Sequence, residues 1–487
     1  MPNFLTRLFC FTLILCGPFA GMTAAVAAVK PPAQDRVTIE VRTPLGPNAF
    51  EVEAMEGEEE LSGAYNFLLE VAGGSASIAP ERLLGQPVTV SVSREGTDPW
   101  YYSGIINRFV LKSITADGEA IYRIRFVPKL WYLNLTSDAR IFQEQSVPDI
   151  VATVLRENGV TDFRFALTDA YPVRECIVQY NETDFDFVNR LLGDEGIHYF
   201  FEHDASGHVM VITDTNGAGV DRGTLPYIPR SQVDKRLAVA GFIQVSQISR
   251  AVPGAYVHDD YTFRDPGLDL LTGARTDRGH ALDDYEAYHY PGLYSNIADG
   301  ERKAQIRLGA YNVSHRLTRG KMTGTFARPG DAVGLIGHPA AGLNGKYYVQ
   351  SARHVFEPAP SGDGTTEHFF TIEIAESPID VTYRPRVFPP DPVIPGPQPA
   401  TVTGPAGAET YADDYSRVKV KFPWDRRSAA DENSSCWVRV SQPAAGRIAV
   451  PEVGDEVLVG FEQGEPSRPI IIGRLWNGDD TPPEGGE

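Results

Sequence analysis

The sequence VKVKFPWDRRSAADENSSCWVRVSQ, from Val418 to Gln442, decides how the last part of this 487-residue chain folds. Apolar and polar side chains alternate at both of its ends, which predicts two β-strands joined by a polar loop. A proline-rich stretch precedes it, residues 386–400, with six prolines in fifteen residues. Such stretches form semi-rigid, extended spacers. We therefore predict a separate small β domain over residues 401–478.

The first strand of this domain also has features of a ligand-binding surface. Lys419 and Lys421 lie on one strand face, and Trp424 and Trp437 are suited to stacking on bases. Because acidic residues surround them, we favour a strand with an apolar core face and a solvated lysine face. The candidate interface residues of the domain are Phe422, Trp424 and Trp437.

Composition and charge restrict the class of protein. The net charge is −20, which argues against nucleic acid or an anionic membrane surface as the usual partner. Hydrophobic residues make up 42% and charged residues 22%, as in globular proteins. The length predicts about three domains of roughly 150 residues each. The 21 Tyr and 24 Phe favour a β-rich core.

Strand patterns dominate the first two thirds of the chain. Short runs such as RVTIEVR, from Arg36 to Arg42, alternate apolar and polar positions between turns, as half-buried strands do. We predict a first β domain, a barrel or a sandwich, over residues 35–225. Strand patterns return in residues 226–385, which are predicted as a second β domain.

The period changes between about residues 140 and 215. Ser146 with Asp149, and Thr183 with Asp186, form capping boxes ahead of apolar residues that share one helical face. The following segment predicts a β-hairpin that turns at residues 204–207. These signals together predict an α/β insert inside the first β domain.

No motif for catalysis accompanies this scaffold. The sequence lacks a nucleophile elbow, a P-loop, a placed GxGxxG and an HExxH motif. His198 and His203 point to opposite faces of one strand, so with His208 they are expected to be exposed or locally hydrogen-bonded, and not zinc ligands. Adjacent acids such as Asp259 and Asp260 are expected in a solvated loop. We predict no catalytic residue, cofactor or metal, and a protein that is not an enzyme.

The four cysteines do not form a framework pattern. Cys10 and Cys16 lie in the N-terminal apolar segment, whereas Cys176 and Cys436 are 260 positions apart with no CxxC spacing. Neither a disulfide framework nor a thiolate metal site is expected. We predict that Cys176 and Cys436 are isolated, small buried residues.

Residues 1–28 resemble a secretory signal. Arg7 supplies a positive charge, an apolar run follows, and Ala25 to Ala27 offer a small-residue cleavage site. The run is shorter than the roughly 20 residues of a membrane span. If the segment is a signal, the protein is exported to the periplasm or beyond by the general route. If translation starts at Met22, the protein begins in the cytoplasm.

Several motifs occur in a recognisable order. They are LLGQPVTV (Leu83–Val90), RIFQEQSVPDIVATVL (Arg140–Leu155), VQYNETDFDFVNRLLGDEGIHYFFEH (Val178–His203), YPGLY (Tyr290–Tyr294) and the barrel segment quoted above. In this order they resemble the VgrG tip proteins of type VI secretion systems. The resemblance covers about residues 35–478.

The resemblance implies a mainly β fold, with two barrel-like domains similar to a phage tail hub, an α/β insert, and a C-terminal OB-fold. It implies a homotrimer that sits on the hexameric Hcp tube. Sheath contraction would drive this tip outward, secreting it through the apparatus with attached effectors, and it would meet the target membrane only by puncture. A PAAR-type tip and effector proteins are further implied partners.

Three features depart from the family pattern. Only the tail 479–487, predicted to be disordered, follows the barrel, so we expect neither a β-helix needle nor an appended effector domain, and PAAR docking is in question. The loop AAGRIAV, residues 444–450, is short, and the signal-like start conflicts with loading in the cytosol. Two alternatives stay open: a hub of a phage tail or related injection system, and an exported binding protein that reuses the scaffold.

Overall fold

The computed structural model describes residues 37–482, except for 48, 74–75, 95–97, 233–239, 324–325, 361–365, 387–390 and 444–447. The signal-like segment 1–28 therefore lies outside the described residues. So do part of the proline-rich stretch, part of the short loop and the last five residues of the tail.

The described residues contain three α-helices and 25 strands. The helices are α1 (Val147–Glu157), α2 (Asp184–Asp194) and α3 (Ile297–His315). The strands before α2 are β1 (Val37–Arg42), β2 (Glu51–Glu60), β3 (Asn66–Gly73), β4 (Pro87–Arg94), β5 (Trp100–Ile114), β6 (Ala120–Val127), β7 (Ser137–Gln145), β8 (Phe163–Ala166) and β9 (Arg174–Thr183). Between α2 and residue 378 they are β10 (His198–His203), β11 (His208–Thr213), β12 (Asp221–Pro226), β13 (Gly241–Ser249), β14 (Ala255–His258), β15 (Thr272–Arg275), β16 (Glu286–His289), β17 (Arg316–Thr323), β18 (Ala332–Ile336), β19 (Gly345–Pro360) and β20 (Thr366–Pro378). The C-terminal strands are β21 (Gln398–Thr403), β22 (Lys419–Lys421), β23 (Arg439–Val440), β24 (Glu456–Phe461) and β25 (Pro469–Leu475).

One long sheet runs through both predicted hub barrels. Its strand order is β1-β4-β5-β6-β3-β2-β19-β20-β17-β13, with neighbours antiparallel, and β18 joins β12 to β19. The two regions meet where β2 pairs with β19, in register from Glu60 opposite Ser351 to Met55 opposite Phe356. The mainly β fold with a hub-like architecture is confirmed, and the two hub regions share one continuous sheet.

Strand β2 shows how alternation builds the inner face of this sheet. Val52, Met55 and Gly57 are buried, whereas Glu56 and Glu58 point to solvent. Gly57 is required because a Cβ there would lie 2.0 Å from two ring atoms of the buried Phe67. The core on this side is aromatic, since the side chains of Phe67, Tyr102, Tyr122 and Phe126 are almost completely buried.

The insert follows the predicted pattern. The Ser146 hydroxyl accepts a hydrogen bond from the Asp149 N–H (3.4 Å) at the start of α1, and Thr183 Oγ1 accepts from the Asp186 N–H (3.0 Å) at the start of α2. Strands β10 and β11 form the predicted hairpin, which turns at residues 204–207, and β8 adds to it in parallel. The two N-cap residues and the hairpin are therefore confirmed, whereas the return bond of a full capping box, from the third helical residue to the N-cap backbone, is recorded for neither helix.

Helix α3 was not predicted, because residues 226–385 suggested strands only. Its buried positions include Gly300, Lys303 and Ala304, so they do not form an apolar stripe. Lys303 is tolerated because its ammonium group pairs with Asp194 at 3.0 Å. The overlooked signal is the cap, since the Asn296 side chain accepts from the Asp299 N–H at 2.9 Å. None of the helices in the described ranges has the length and apolar character needed to cross a membrane.

The C-terminal strands form a five-stranded barrel in the order β22-β21-β24-β25-β23. A bridge between Val418 and Val438 joins the two outer strands, with N–H···O distances of 3.0 and 2.8 Å. The segment quoted at the start therefore supplies both strands that close the barrel.

The described part of the proline-rich stretch contacts the barrel at Ile394. Ile394 is 2% exposed, and its N–H donates to the Gly464 carbonyl at 2.8 Å. Strand β21 begins at Gln398, inside the stretch predicted as linker. Residues 391–393 and 395–397 lie outside regular secondary structure and are mostly exposed, as in an extended spacer, so the spacer stays a prediction, with an anchoring point at Ile394.

Glu376 on β20 generates a pH-dependent prediction. It is 0% exposed, and neither carboxyl oxygen has a hydrogen-bond partner in the described part of the chain. Burial raises the pKa of Glu376 well above its ordinary value. The folded protein thus keeps a proton that the unfolded chain loses above about pH 4.3. Stability should fall as pH rises from there towards the folded pKa, by up to about 1.4 kcal/mol per pH unit.

We expect Glu376→Gln to raise the thermal unfolding midpoint at pH 8 and to change it much less at pH 5, as followed by circular dichroism. Glu373→Gln is the matched control, because the Glu373 side chain is 46% exposed on the same strand and pairs with Lys321. A Glu376→Gln effect of equal size at both pH values would contradict the prediction.

Candidate functional site at the insert–barrel junction

The candidate interface residues lie where the C-terminal barrel meets the insert. Phe422 is 2% exposed and belongs to the barrel core, together with Val420 and Val438. Ile141 of β7 packs against this core from the insert. The core of the barrel thus continues into the insert, and Phe422 is a core residue that offers no surface to a partner.

Trp424 joins the barrel to β9. Its ring stacks on Phe422 at a centroid distance of 4.8 Å and meets Tyr180 edge-on at 5.5 Å. The indole N–H donates to Gln398 Oε1 at 2.7 Å, and Gln398 Nε2 donates to the Tyr180 hydroxyl at 2.8 Å. A buried tryptophan normally needs such a partner for its N–H. Trp424 is therefore an interface residue within the chain.

Trp437 lies on the other side of the closing strands. Its ring packs against Tyr411 at 5.0 Å, and the Lys419 ammonium group lies 5.4 Å from the ring centroid. Trp437 is half-buried by these contacts. Its ring already has two partners from its own barrel.

The prediction of a solvated lysine face is wrong. Lys419 Nζ donates to Gln143 Oε1 of the insert at 3.2 Å, and Lys421 Nζ donates to the Ser428 carbonyl and hydroxyl at 2.5 and 2.9 Å. Both lysines are half-buried, because the insert and the loop after Trp424 cover the strand. The lysine and tryptophan face proposed for oligonucleotide binding is thus occupied by the chain itself.

Two arginines of the polar loop form ion pairs with the insert. Arg427 Nε lies 2.6 Å and Arg426 Nε 3.2 Å from the carboxylate of Asp138, which is 8% exposed. Burial opposes ionisation of Asp138, but hydrogen bonds from Arg427, the Ala139 N–H and Arg426 outweigh it and hold its pKa below the usual range. Arg427 also contacts Glu157, the last residue of α1, at 3.1 Å. The loop is therefore bound to both β7 and α1.

Two further ion pairs bind the barrel to the rest of the chain. Arg417 contacts Glu175 of β9 at 2.8 Å. Arg468 donates two hydrogen bonds of 2.8 Å to the carboxylate of Asp260, in the loop after β14. Asp260 is 6% exposed, so the expectation that it lies in a solvated loop is wrong. A bidentate arginine pair of this kind fixes orientation as well as distance.

The three hairpin histidines are structural. His198 Nε2 is 2.8 Å from the Tyr348 hydroxyl, and His203 Nδ1 and His208 Nε2 accept backbone N–H groups of Ser103 and Lys129 at 3.0 and 3.1 Å. His198 and His208 are buried, and the side chain of His203 is 0% exposed, so none of the three imidazole rings is exposed. Burial lowers the pKa of His198 to about 3 and that of His208 to about 4.

Among the described residues, no group of three or more His, Cys, Asp or Glu side chains is arranged to hold a metal ion.

The Arg468–Asp260 pair generates a stability prediction. We expect Arg468→Ala to lower the free energy of unfolding of the barrel by about 2–4 kcal/mol, because it leaves a buried carboxylate without its cation. Denaturant titration followed by tryptophan fluorescence suits this test, since Trp424, Trp437 and Trp476 lie in or next to the barrel.

The matched control is Arg474→Ala. Arg474 pairs with Asp455 on the same barrel, but its side chain is 57% exposed, so the loss should be under about 1 kcal/mol. Equal losses for the two variants would show that the Arg468 pair does not secure the barrel.

Two known protein families match this architecture. The phage tail baseplate hub (GPD) family matches residues 58–359, and the type VI secretion system/phage-baseplate injector OB domain matches residues 402–476. Two solved structures share the fold. A type VI secretion component of E. coli, described as similar to phage T4 gp27 and gp5, has a TM-score of 0.64 at 24% identity, covering 90% of this chain and 100% of that one. Francisella VgrG from a PdpA–VgrG complex has a TM-score of 0.61 at 10% identity, covering 92% and 79%.

Relatives of higher identity are spike proteins of Pseudomonas aeruginosa. VgrG1c is 37% identical over 454 residues, covering 91% of this chain and 62% of its own length. VgrG1a is 38% identical over 459 residues, covering 91% and 70%. The Vibrio cholerae actin cross-linking toxin VgrG1 is 32% identical over 457 residues, covering 89% and 41%. The chain thus spans less than two thirds of VgrG1c and about two fifths of the toxin. The predicted resemblance is confirmed, and the chain belongs to the VgrG family of type VI secretion spike proteins.

Proposed function

We propose that this protein is a structural tip subunit, the spike base, of a type VI secretion system. The observation that carries the proposal is the firm attachment of the barrel to the hub region. Asp138, Glu175 and Asp260 each hold a barrel arginine at 2.6–2.8 Å, and Trp424 packs between the two parts. A load along such a subunit would pass through several contacts and not through one linker.

The proposed assembly is a homotrimer. The barrel and its last strand expose large apolar side chains, and so does the region around β16. They are Tyr415, Ile448, Ile472, Trp476, Tyr261, Tyr285, Tyr288 and Tyr290. Exposed apolar surface of this kind is typical of protein contacts, and closed cyclic symmetry is the usual way in which soluble chains bury it.

The proposed partners are the hexameric Hcp tube, and a PAAR-type tip or effector proteins. Two hub regions per chain give a trimer six β units, a number that matches a sixfold ring. The net charge of −20 and the occupied lysine face argue against nucleic acid as a partner. The target membrane would be met only by puncture.

The tip role that we propose is mechanical and needs no catalysis by this chain. The polar clusters that could suggest chemistry, such as Asp260 with Arg468, are ion pairs that hold the fold. The actin cross-linking activity in the name of the Vibrio relative is a property of that longer protein. We propose that the chain assembles in the cytoplasm and leaves through the secretion apparatus. Sequencing the native N-terminus tests this route, because a start near Ala28 would instead indicate general export.

We predict that the purified full chain is a trimer, with three times the 53.4 kDa mass of one chain in light scattering at micromolar concentration. Because each chain carries a charge of −20, added salt should screen the repulsion between copies and should not weaken the trimer. A clean monomer at low and at high salt would contradict the proposal.

Secretion of Hcp tests the function directly. In a strain lacking this gene and any paralogue, we expect Hcp to disappear from the medium, and the full chain to restore it. A hub of a phage tail is the second candidate, since the family that matches residues 58–359 is named for that structure. Unchanged Hcp release with loss of phage-like particles would favour the phage hub.

A further inference from the structure

Two cysteines meet at the insert–barrel junction. Cys176 lies on β9 of the insert and Cys436 lies just before β23 of the barrel, and both are free thiols. Gln143, which lies opposite Cys176 in the β7–β9 register, donates to the Asn433 carbonyl three residues before Cys436, so the two cysteines lie on facing surfaces of the junction although 260 positions separate them in the sequence. The prediction that they are isolated is therefore wrong, because the docking of the barrel brings them together.

Contacts other than the thiols hold the backbone on both sides of this pair. Gln143 lies opposite Cys176 in the register of β7 and β9. Its side chain donates to the Asn433 carbonyl at 2.7 Å, three residues before Cys436, and accepts from Lys419 at 3.2 Å. Next to Cys176, Glu175 accepts from Arg417 at 2.8 Å. None of these contacts uses a sulfur atom, so oxidation of the thiols does not remove them.

We propose that Cys176 and Cys436 are a reversible disulfide site that fastens the barrel covalently to the insert under oxidising conditions. The proposal is independent of the tip role, because it depends only on the contact between the two parts of this chain. A thiol pair stays reduced in the cytosol and becomes oxidisable in the periplasm or outside the cell. The bond would therefore form after the protein leaves a reducing compartment.

The oxidant is a small-molecule disulfide such as oxidised glutathione. The thiolate of Cys176, the more exposed of the two, attacks one sulfur of this disulfide, forms a mixed disulfide and releases one glutathione thiolate. Cys436 then loses its proton and attacks Cys176 Sγ, which releases the second glutathione. Two protein thiols give one disulfide, and the two electrons leave on two molecules of reduced glutathione.

We expect the oxidation of this thiol pair to be slow compared with that of a catalytic cysteine. The hydrogen bond with Cys436, together with burial, raises the pKa of the Cys176 thiol. Because the thiolate is the nucleophile, a raised pKa reduces the fraction able to attack at neutral pH. Oxidation should accelerate as the pH rises above neutrality.

Peptide mapping of the full chain tests the proposal. The reduced protein is treated with oxidised glutathione at pH 8.5, alkylated and digested without reductant. We expect a linked peptide that joins Cys176 to Cys436, with a mass lower by two hydrogens, which dithiothreitol separates. If oxidation leaves both cysteines free or each bound to glutathione, the two sulfurs cannot bridge and the proposal is wrong.

Two variants and a second readout complete the test. Cys10→Ser/Cys16→Ser removes the other cysteines and should still form the linked peptide. Cys436→Ser should stop at the mixed disulfide on Cys176. Oxidation should raise the thermal unfolding midpoint of the wild-type chain and not of Cys436→Ser. A rise of equal size in both chains would show that another modification is responsible.

Discussion

The pairing of β2 with β19 is the constraint on which the rest of this structure depends. It joins residues 51–60 to residues 345–360, so every element between them forms within one large chain loop. A pairing at this sequence distance has a high entropic cost, which is offset only when both strands also bury side chains. Both do, because Met55 and Phe356 are each 1% exposed. Strand β19 also pairs with β18 and β20, so this one strand is hydrogen-bonded to strands of both hub regions.

The barrel depends on this frame through charges as well as apolar contact. Buried ion pairs contribute little net stability, because the desolvation of both groups opposes their attraction. Their value here is in geometry, since Arg427, Arg417 and Arg468 each reach a different element of the hub region. Together these three pairs restrict how the barrel can be placed on the hub region. The hydrophobic packing of Ile141 and Trp424 against the barrel core adds stability that does not depend on orientation.

The elements that the sequence predicted correctly are those with local or periodic signals. Capping residues identified α1 and α2, and alternation identified the strands of the barrel, because these signals depend on neighbours within a few positions. Helix α3 was not predicted because its buried face includes Lys303, whose partner Asp194 is 109 residues away. The surroundings of Lys419 and of Cys176 could not be predicted for the same reason. Each has its partner on the opposite side of the junction, and no local pattern encodes which surfaces meet.

The closed barrel has a consequence for how copies of this protein can meet. The Val418–Val438 bridge uses the backbone groups that would otherwise form an open edge between β22 and β23. A neighbouring copy therefore cannot extend this sheet by adding a strand of its own. Recognition between barrels must rest on side-chain shape and polarity, which individual substitutions can tune without disturbing the backbone. Closing the sheet thus leaves association under the control of residues such as Ile472 and Trp476, both half or more exposed on or next to the last strand.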